Sequence, residues 1–399
     1  MKLLVISSAP VVEMEGKSYL YAPYEKEMQW WAKHANTIQF CCPIWKEDRK
    51  LLIAPISFKV DSIVALQEFD ITSFSNKLKA IPLAFVALVK IFKAMKQADH
   101  IHLRCPGNIA LLACLVQILF PNKQKTAKYA GNWDPKSQQP WSYRLQKWIL
   151  SNTFLTRNMQ VLVYGEWEGS TKNIKPFFTA TYSQEEARLW SLEAKVSPEE
   201  SDCSSTRSAQ AKQPDTRQPI ALVTPIKFLF VGTLSKGKQP LYAIQLVEQL
   251  SQKGRKVNLE LYGEGVLRTE LEQYIAQKNL GAIVFLRGNQ SKEIIRKAYQ
   301  TSHFLILPSK SEGWPKVVAE ALFWGCVPAA SPVSCVRYML GNGSRGVLLQ
   351  EQIDQDVREI ETVLNNQEVC QKMAFEGQTW SRQFTTDKFE EEIRKLLIG

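Results

Sequence analysis

Residues 304–328 read FLILPSKSEGWPKVVAEALFWGCVP. The four apolar residues at the start have the pattern of a short buried strand, which Pro308 ends. Pro315 is well placed in the first turn of a helix, where its missing N–H has no partner to lose. The helix 316–324 is apolar on nearly all sides and must be buried. A buried strand, a loop and a buried helix predict an α/β fold with this loop at the carboxyl end of a parallel sheet.

Glu320 is the only acidic residue of the predicted helix. A buried carboxylate is unfavourable by several kcal/mol unless it is hydrogen-bonded or paired. Hydroxyl groups of a bound sugar or ribose would satisfy it. A glutamate that reaches solvent, or that pairs with a structural arginine, is the alternative.

A second loop of the same kind lies in residues 230–240, FVGTLSKGKQP. A strand ends at Gly232, the loop carries Lys236 and Lys238, and a helix opens at Pro240. Backbone N–H groups at a helix start, together with lysine, suit a diphosphate. Lysines in a turn that are merely exposed to solvent are the alternative.

Short β-branched runs alternate with helical patterns in both halves of the chain, which indicates parallel α/β layers. The stretch from Val196 to Gln218 is too polar to build a core. We therefore expect four segments: an N-terminal Rossmann-like domain (1–195), a flexible linker or insertion (196–219), a C-terminal Rossmann-like domain (220–380) and a C-terminal helix that can pack back on the first domain (381–399).

Residues 312–328 resemble family four of the retaining glycosyltransferases with the GT-B fold (glycosyl transferases group 1, bacterial type). The family signature is E-G-[FW]-x-x-x-x-x-E-A followed by G-x-P. This chain has its residues at Glu312, Gly313, Glu320, Ala321, Gly325 and Pro328, with two residues instead of one between Gly325 and Pro328. The resemblance implies that Glu312 contacts hydroxyls of the donor sugar and Glu320 the ribose. Pro315 stands where the family commonly has glycine, so Trp314 or Lys316 must supply an amide to the donor.

Further elements follow in family order. The loop at 232–239 is similar to the family's G-R-L-x-x-x-K-G element, with Lys238 at the lysine, Thr233 in place of the arginine and Lys236 as a candidate substitute. The resemblance implies Lys238 and Glu312 as catalytic residues, and a donor site formed by Gly232, Thr233, Lys236, Gly263, Gly265, Gly288, Asn289, Ser309, Gly313, Trp314, Lys316 and Glu320.

The resemblance also implies two Rossmann-like domains with parallel sheets facing across a cleft, and a nucleoside-diphosphate sugar as donor substrate, with no cofactor. The acceptor would be a glycan or a lipid-linked hydroxyl compound, as in surface polysaccharide or glycolipid synthesis. The chain has no D-x-D ligand motif near the site, so we expect metal independence. A nucleotide-sugar epimerase and an inactive nucleotide-sugar-binding paralogue are the alternatives. A nucleic-acid partner is not expected, because no basic stripe interleaved with aromatics is present.

The N-terminal half holds most of the positive charge. Residues 1–180 carry 23 Lys/Arg and 13 Asp/Glu, whereas the whole chain has a net charge of +11. Such a half suits an acidic partner. Lys77–Lys96 combines an apolar body with Lys90, Lys93 and Lys96, which is typical either of a helix lying on an anionic bilayer or of a core helix with a solvated edge.

Candidate acceptor residues are Asn132, Trp133 and Asp134, which follow a predicted middle strand; Asp134 is equally suited to a turn. His102 is expected in the core, and residues 13–19 as an acceptor-facing loop. The eight cysteines show no C-x-x-C pair, and no apolar run approaches the roughly 20 residues needed to span a bilayer. A cytoplasmic location, with peripheral attachment to the inner membrane face if the membrane interpretation holds, is expected.

Overall fold

The computed structural model describes residues 1–49, 51–69, 74–193 and 224–398, with the side chains of 74–79 and 192–193 excepted. The chain divides into two compact units. Unit 1 comprises 1–178 together with 389–399, and unit 2 comprises 179–388. The predicted linker 196–219 lies outside the described residues.

Unit 1 is built on a ten-stranded, mainly parallel sheet with the order β10-β9-β8-β7-β1-β4-β2-β3-β5, in which β6 also pairs with β4. Its strands are β1 (Lys2–Ser7), β2 (Val11–Met14), β3 (Lys17–Tyr21), β4 (Thr37–Trp45), β5 (Ile53–Pro55), β6 (Ser62–Leu66), β7 (His100–Cys105), β8 (Gln124–Tyr129), β9 (Met159–Tyr164) and β10 (Ile174–Phe177).

The helices of unit 1 cover both sides of this sheet. They are α1 (Ala22–Lys33), α2 (Phe74–Gln97), α3 (Asn108–Val116), which continues as a 3-10 turn (Gln117–Leu119), and α4 (Trp141–Ser151). The buried sides of α2, α3 and α4 share one apolar cluster with alternate residues of β1, β7, β8 and β9. These three helices therefore pack on the same side of the sheet.

One local prediction in unit 1 is wrong. Residues 13–19, expected as a loop, belong to an antiparallel hairpin of β2 and β3, in which Val12 pairs with Tyr19 and Met14 with Lys17. The turn at Glu15 and Gly16, both with positive φ, joins two strands too short to show a clear alternating pattern.

Unit 2 contains a six-stranded parallel sheet with the order β13-β12-β11-β14-β15-β16. Its strands are β11 (Ile226–Val231), β12 (Val257–Tyr262), β13 (Val284–Gly288), β14 (Phe304–Leu307), β15 (Val327–Ala330) and β16 (Val347–Leu348). Its helices are α5 (Gln184–Glu193), α6 (Pro240–Gln252), α7 (Arg268–Gln277), α8 (Lys292–Thr301), α9 (Lys316–Trp324), α10 (Val336–Met339), α11 (Ile353–Leu364) and α12 (Gln367–Ser381), while α13 (Thr386–Ile398) runs from unit 2 into the segment that belongs to unit 1.

The strand order of unit 2 reverses between β11 and β14, which are neighbours in the sheet although β12 and β13 lie between them in the chain. In open α/β sheets such a reversal leaves a crevice at the carboxyl ends of the two strands, where ligands bind. The loops that follow β11 and β14 are the two that the sequence singled out.

Candidate donor site in unit 2

The loops after β11 and β14 lie against each other. The backbone N–H of Lys310 donates to the carbonyl of Gly237 at 2.9 Å. The Gln239 side-chain amide donates to the carbonyl of Pro308 at 2.6 Å. Gln239 precedes α6 in a left-handed conformation with φ of 51°. The N-terminus of α6 is thereby held next to the loop that leads into α9.

Lys238 and Glu312, the two predicted catalytic residues, form an ion pair between these loops. The Glu312 side chain is 9% exposed and that of Lys238 31%. A carboxylate so poorly hydrated depends on its partner, whereas the lysine still reaches solvent. The structure thus brings together a cation suited to a phosphate and a carboxylate suited to sugar hydroxyls.

Glycines let the strand ends of unit 2 approach one another closely. The N–H of Gly232 donates to the carbonyl of Tyr262 at 2.9 Å, and that of Gly263 to the carbonyl of Gly288 at 2.9 Å. A Cβ at Gly263 would lie 2.0 Å from the carbonyl oxygen of Gly232, and one at Gly265 would lie 2.3 Å from that of Leu234. No side chain larger than hydrogen fits at Gly263 or Gly265 without a shift of the backbone.

Glu320 is partly buried and accepts a hydrogen bond from the Thr181 hydroxyl at 2.8 Å. Burial raises its pKa, and the Thr181 and Tyr299 hydroxyls and the Lys316 ammonium group act in the opposite direction. The cavity beside it holds about 10 Å³, which is close to the room for a single water. The carboxylate is therefore stabilised by protein hydroxyls. Its predicted contact with a ribose stays a prediction.

Trp314 and Pro315 shape the start of α9. The Trp314 ring is buried against Trp380 and Phe384, with ring centroids 6.3 and 6.0 Å away, so only the backbone of Trp314 can face a ligand at this loop. Pro315 is the residue before the first helical one, which is Lys316, a difference of one position from the prediction. Helical N–H groups at this end point out of the helix.

Two buried serines lie just after the neighbouring strands β14 and β15. Ser309 is 0% exposed and Ser331 is 1% exposed, and neither hydroxyl has a hydrogen-bond partner among the described residues. An unsatisfied buried hydroxyl is unfavourable by about 1–3 kcal/mol. These two hydroxyls are therefore suited to a hydrogen bond with water or with a ligand group. Ser331 was missed in the sequence, although its place directly after the buried strand β15 was a signal.

The remaining predicted donor residues lie at the same sheet edge. Thr233, Lys236 and Asn289 are exposed, and Gly313 accepts a hydrogen bond from the Ser334 hydroxyl at 2.9 Å. Ser334 was also missed; its contact with Gly313 fixes the loop before α9. Within the described ranges, no group of three or more His, Cys, Asp or Glu residues is arranged to hold a metal ion.

The three candidate acceptor residues lie in unit 1, where each has a structural role. The Asn132 side chain accepts from the N–H of Asp134 at 2.9 Å, and the Asp134 side chain accepts from the N–H of Lys136 at 2.8 Å. Trp133 is buried and packs edge-on against Tyr129. Acceptor binding by these residues stays a prediction.

His102 is a core histidine, as predicted. Its Nδ1 lies 2.8 Å from the Thr126 hydroxyl, and its ring packs against Trp31 with centroids 4.1 Å apart. Burial lowers its pKa to about 3, so the ring is neutral.

Solved structures of GT-B glycosyltransferases share this fold. Anabaena HepE in complex with UDP matches with a TM-score of 0.63 and 14% identity, over 100% of this chain and 100% of that one. Two α/β units with parallel-dominated sheets give the chain the GT-B fold.

Residues 212–380, in the C-terminal half of the chain, match the family model "Glycosyl transferases group 1". The matched stretch lies within the range of unit 2.

Two curated relatives each match less than half of this chain. An uncharacterized glycosyltransferase of Methanocaldococcus jannaschii is 26% identical over 169 residues, 42% of this chain and 46% of that protein. The N-acetylgalactosamine-N,N'-diacetylbacillosaminyl-diphospho-undecaprenol 4-alpha-N-acetylgalactosaminyltransferase of Campylobacter jejuni is 27% identical over 43% of this chain and 46% of that protein. The matched stretch thus spans about half the length of each relative.

Proposed function

We propose that this protein is a glycosyltransferase that moves a sugar from a nucleoside-diphosphate sugar to a hydroxyl acceptor with retention of configuration. The observation that carries the proposal is the Lys238–Glu312 ion pair at the reversal point of the unit 2 sheet. The two groups have opposite charge and suit opposite ends of one donor molecule: a diphosphate for the lysine, sugar hydroxyls for the carboxylate.

Donor binding would exchange the partners of this pair. The Lys238 ammonium group turns to the diphosphate, and the Glu312 carboxylate accepts hydrogen bonds from the sugar. Each charge keeps a partner throughout, so neither is left buried and unpaired. The pair accordingly holds both groups in place before the donor arrives, which limits the reorganisation needed at the reaction.

In the reaction the bond between the anomeric carbon and the phosphate oxygen breaks, and a bond from that carbon to the acceptor oxygen forms on the same face. The nucleoside diphosphate leaves with the bonding electron pair, and one of its phosphate oxygens takes the acceptor's proton. Lys238, Lys236 and the N-termini of α6 and α9 stabilise the charge that develops on the leaving group. No carboxylate nucleophile is required on this route.

A uridine nucleotide is the donor class that we propose, because HepE, with the same fold, is described in complex with UDP and with UDP-glucose. A lipid-linked or glycan acceptor is proposed from the Campylobacter relative, whose name places its acceptor on diphospho-undecaprenol. Surface polysaccharide or glycolipid synthesis on the cytoplasmic side of the membrane follows as the setting.

Metal independence is part of the proposal, since lysine and helix N-termini can neutralise the diphosphate. Activity should survive EDTA unchanged. A loss that magnesium or manganese restores would assign the diphosphate to a metal ion instead.

The decisive experiment begins with a thermal-shift screen of nucleotide sugars, because a specific ligand stabilises the protein according to its occupancy. The best donor is then incubated with and without candidate acceptors, and free nucleoside diphosphate and the anomeric configuration of the product are measured. We expect nucleoside diphosphate release that depends on acceptor and an unchanged anomeric configuration. Conversion of the donor sugar without acceptor would indicate an epimerase, and binding without turnover for any acceptor an inactive paralogue.

A further inference from the structure

Unit 1 exposes an unusual number of large apolar side chains on the side of its sheet covered by α2, α3 and α4. On α2, one stripe is formed by Ile81, Phe85, Val89 and Phe92, of which Phe85 is 68% exposed. These positions follow helical spacing and lie away from the buried residues Ala87, Ile91 and Met95 of the same helix. The stripe is therefore a second apolar face, separate from the core.

The two neighbouring helices continue this surface. Leu119, at the end of α3, is 66% exposed; Trp148 on α4 is 60% exposed; and Phe154, just beyond α4, is 71% exposed. Trp141, Arg144 and Trp148 are spaced by three and four, so they share one face of α4. The rings of Phe92 and Phe120, 5.2 Å apart, connect α2 with the end of α3. We call the exposed side of α2, α3 and α4 the three-helix face.

The part of the chain that forms the three-helix face is rich in positive charge. Residues 74–165 contain thirteen Lys/Arg and two Asp/Glu, Asp99 and Asp134. Two of the cations, Arg104 and Lys128, pair with Glu27 and do not contribute to the exposed charge. Neither α2, α3 nor α4 contains an acidic residue. The exposed lysines Lys93 and Lys96 lie beside the α2 stripe. Lys90 is different, because it donates to the Ala65 carbonyl at 2.7 Å.

A cavity of about 770 Å³ beside Phe154 is also lined by positively charged side chains. Its lining includes Lys125, Arg157, Lys172 and Lys175 and no acidic residue. Arg157 also lies over the Phe154 ring, 4.9 Å from its centroid. An apolar surface with aromatic side chains thus borders a positively charged recess.

We propose that the three-helix face docks on an anionic bilayer, with its apolar side chains at the level of the acyl-chain boundary and its cations against the lipid headgroups. Tryptophan side chains favour this interfacial depth, and each basic residue near the surface adds to the attraction. Among the residues that the structure describes, none of the helices has the length and apolar character of a membrane span. A protein that covered the whole three-helix face would need an acidic and apolar surface of similar size.

The inference is linked to the proposed function in one respect: an anionic bilayer is where a lipid-linked acceptor would be located. Docking can be measured without donor or acceptor. A failure of docking would therefore leave the glycosyltransferase proposal intact, and a failure of catalysis would leave docking intact.

The test is co-sedimentation of the full chain with phosphatidylcholine vesicles, with and without phosphatidylglycerol. We expect binding that requires phosphatidylglycerol and weakens as salt is raised. Trp148→Ser/Phe154→Ser should weaken binding about tenfold or more through lost apolar contact. Lys93→Glu/Lys96→Glu should weaken it by a similar factor of about ten or more.

Matched controls come from unit 2. Val266 is 88% exposed and Ile294 is 45% exposed, so Val266→Ser/Ile294→Ser removes comparable apolar surface outside the three-helix face. Lys372→Glu reverses the charge of an exposed lysine outside the three-helix face. Both should bind vesicles like the wild type, and all variants should keep the wild-type melting temperature, because the altered side chains are exposed.

Equal binding of all variants, equal binding to vesicles with and without phosphatidylglycerol, or no binding to either would overturn the proposal. Dimerisation that Trp148→Ser/Phe154→Ser abolishes, in the absence of vesicle binding, would assign the face to a second copy of the chain instead.

Discussion

The Lys238 ammonium group and the Glu312 carboxylate are 74 residues apart in the chain, yet they form an ion pair at the carboxyl ends of β11 and β14. In the proposed mechanism, each residue loses the other as its charged partner when a donor binds. Under that proposal, binding of a diphosphate by Lys238 would free the Glu312 carboxylate for the sugar. Substitutions of the two residues should therefore have different effects.

Glu312→Gln should lower turnover by about 100-fold, because the carboxylate is proposed to contact the reacting sugar. Affinity for UDP should be unchanged or higher, since Lys238 no longer has a competing anion. A turnover assay measures the first effect, and titration calorimetry with UDP measures the second. Glu359→Gln, on the exposed side of α11, is the control. Wild-type turnover in Glu312→Gln would remove this glutamate from the mechanism.

Lys238→Ala should weaken UDP binding by about 10- to 100-fold, as expected when a charge-assisted hydrogen bond to phosphate is lost. Lys236→Ala should have a smaller effect if Lys236 only supplements it, and a comparable one if it substitutes for the arginine that Thr233 replaces. Calorimetry with UDP separates these outcomes. Unchanged affinity in both variants would place the diphosphate elsewhere.

Gly263→Ala should destabilise unit 2 by about 3 kcal/mol or more, because its φ of 141° disfavours a side chain and the new Cβ would lie 2.0 Å from the Gly232 carbonyl oxygen. Gly281→Ala is the matched control, with nothing within 4 Å of the added Cβ. Denaturant unfolding measures both. Equal stabilities would mean that the strand ends are not packed as closely as described.

The buried histidines should make unit 1 sensitive to mild acid. Burial lowers the pKa of His100 from 6.5 to about 4 and that of His102 from 6.5 to about 3. At a pH between 6.5 and the lowered pKa, these histidines bind protons in the unfolded chain but not in the folded one. The stability that the neutral histidines contribute is therefore fully present above pH 6.5 and is lost as the pH falls.

The melting temperature of the wild type should fall from pH 6.5 to pH 4.5, a window above the range in which Glu27, with its pKa lowered to about 2, is protonated. Glu320, whose pKa is raised by burial, acts in the opposite direction and is unchanged in the comparison. His100→Gln/His102→Asn keeps polar atoms near Thr126 and should lose at least about half of the slope. An unchanged slope would show that other groups control acid stability.

Much of the donor half could be predicted from the sequence. The strand Phe304–Leu307 and the helix Lys316–Trp324 were predicted with the bounds that the structure gives them. Buried parallel strands are continuous apolar runs, and the loops after them carry glycine, proline and lysine in recognisable order. In unit 1 the hairpin of β2 and β3 was missed because its strands are short and partly polar.

By itself, the sequence determined the α/β class, the order of strands and helices in unit 2 and the residue types at its strand ends, because those depend on local apolar pattern and turn chemistry. Only the tertiary structure decided that Lys238 faces Glu312, that Thr181 satisfies Glu320, that Trp133 is a core residue and that Phe85, Trp148 and Phe154 are exposed on one side of unit 1. Each of these is a contact, or the lack of one, between segments far apart in the chain. It follows from how sheets and helices pack, which the pattern of any single segment does not contain.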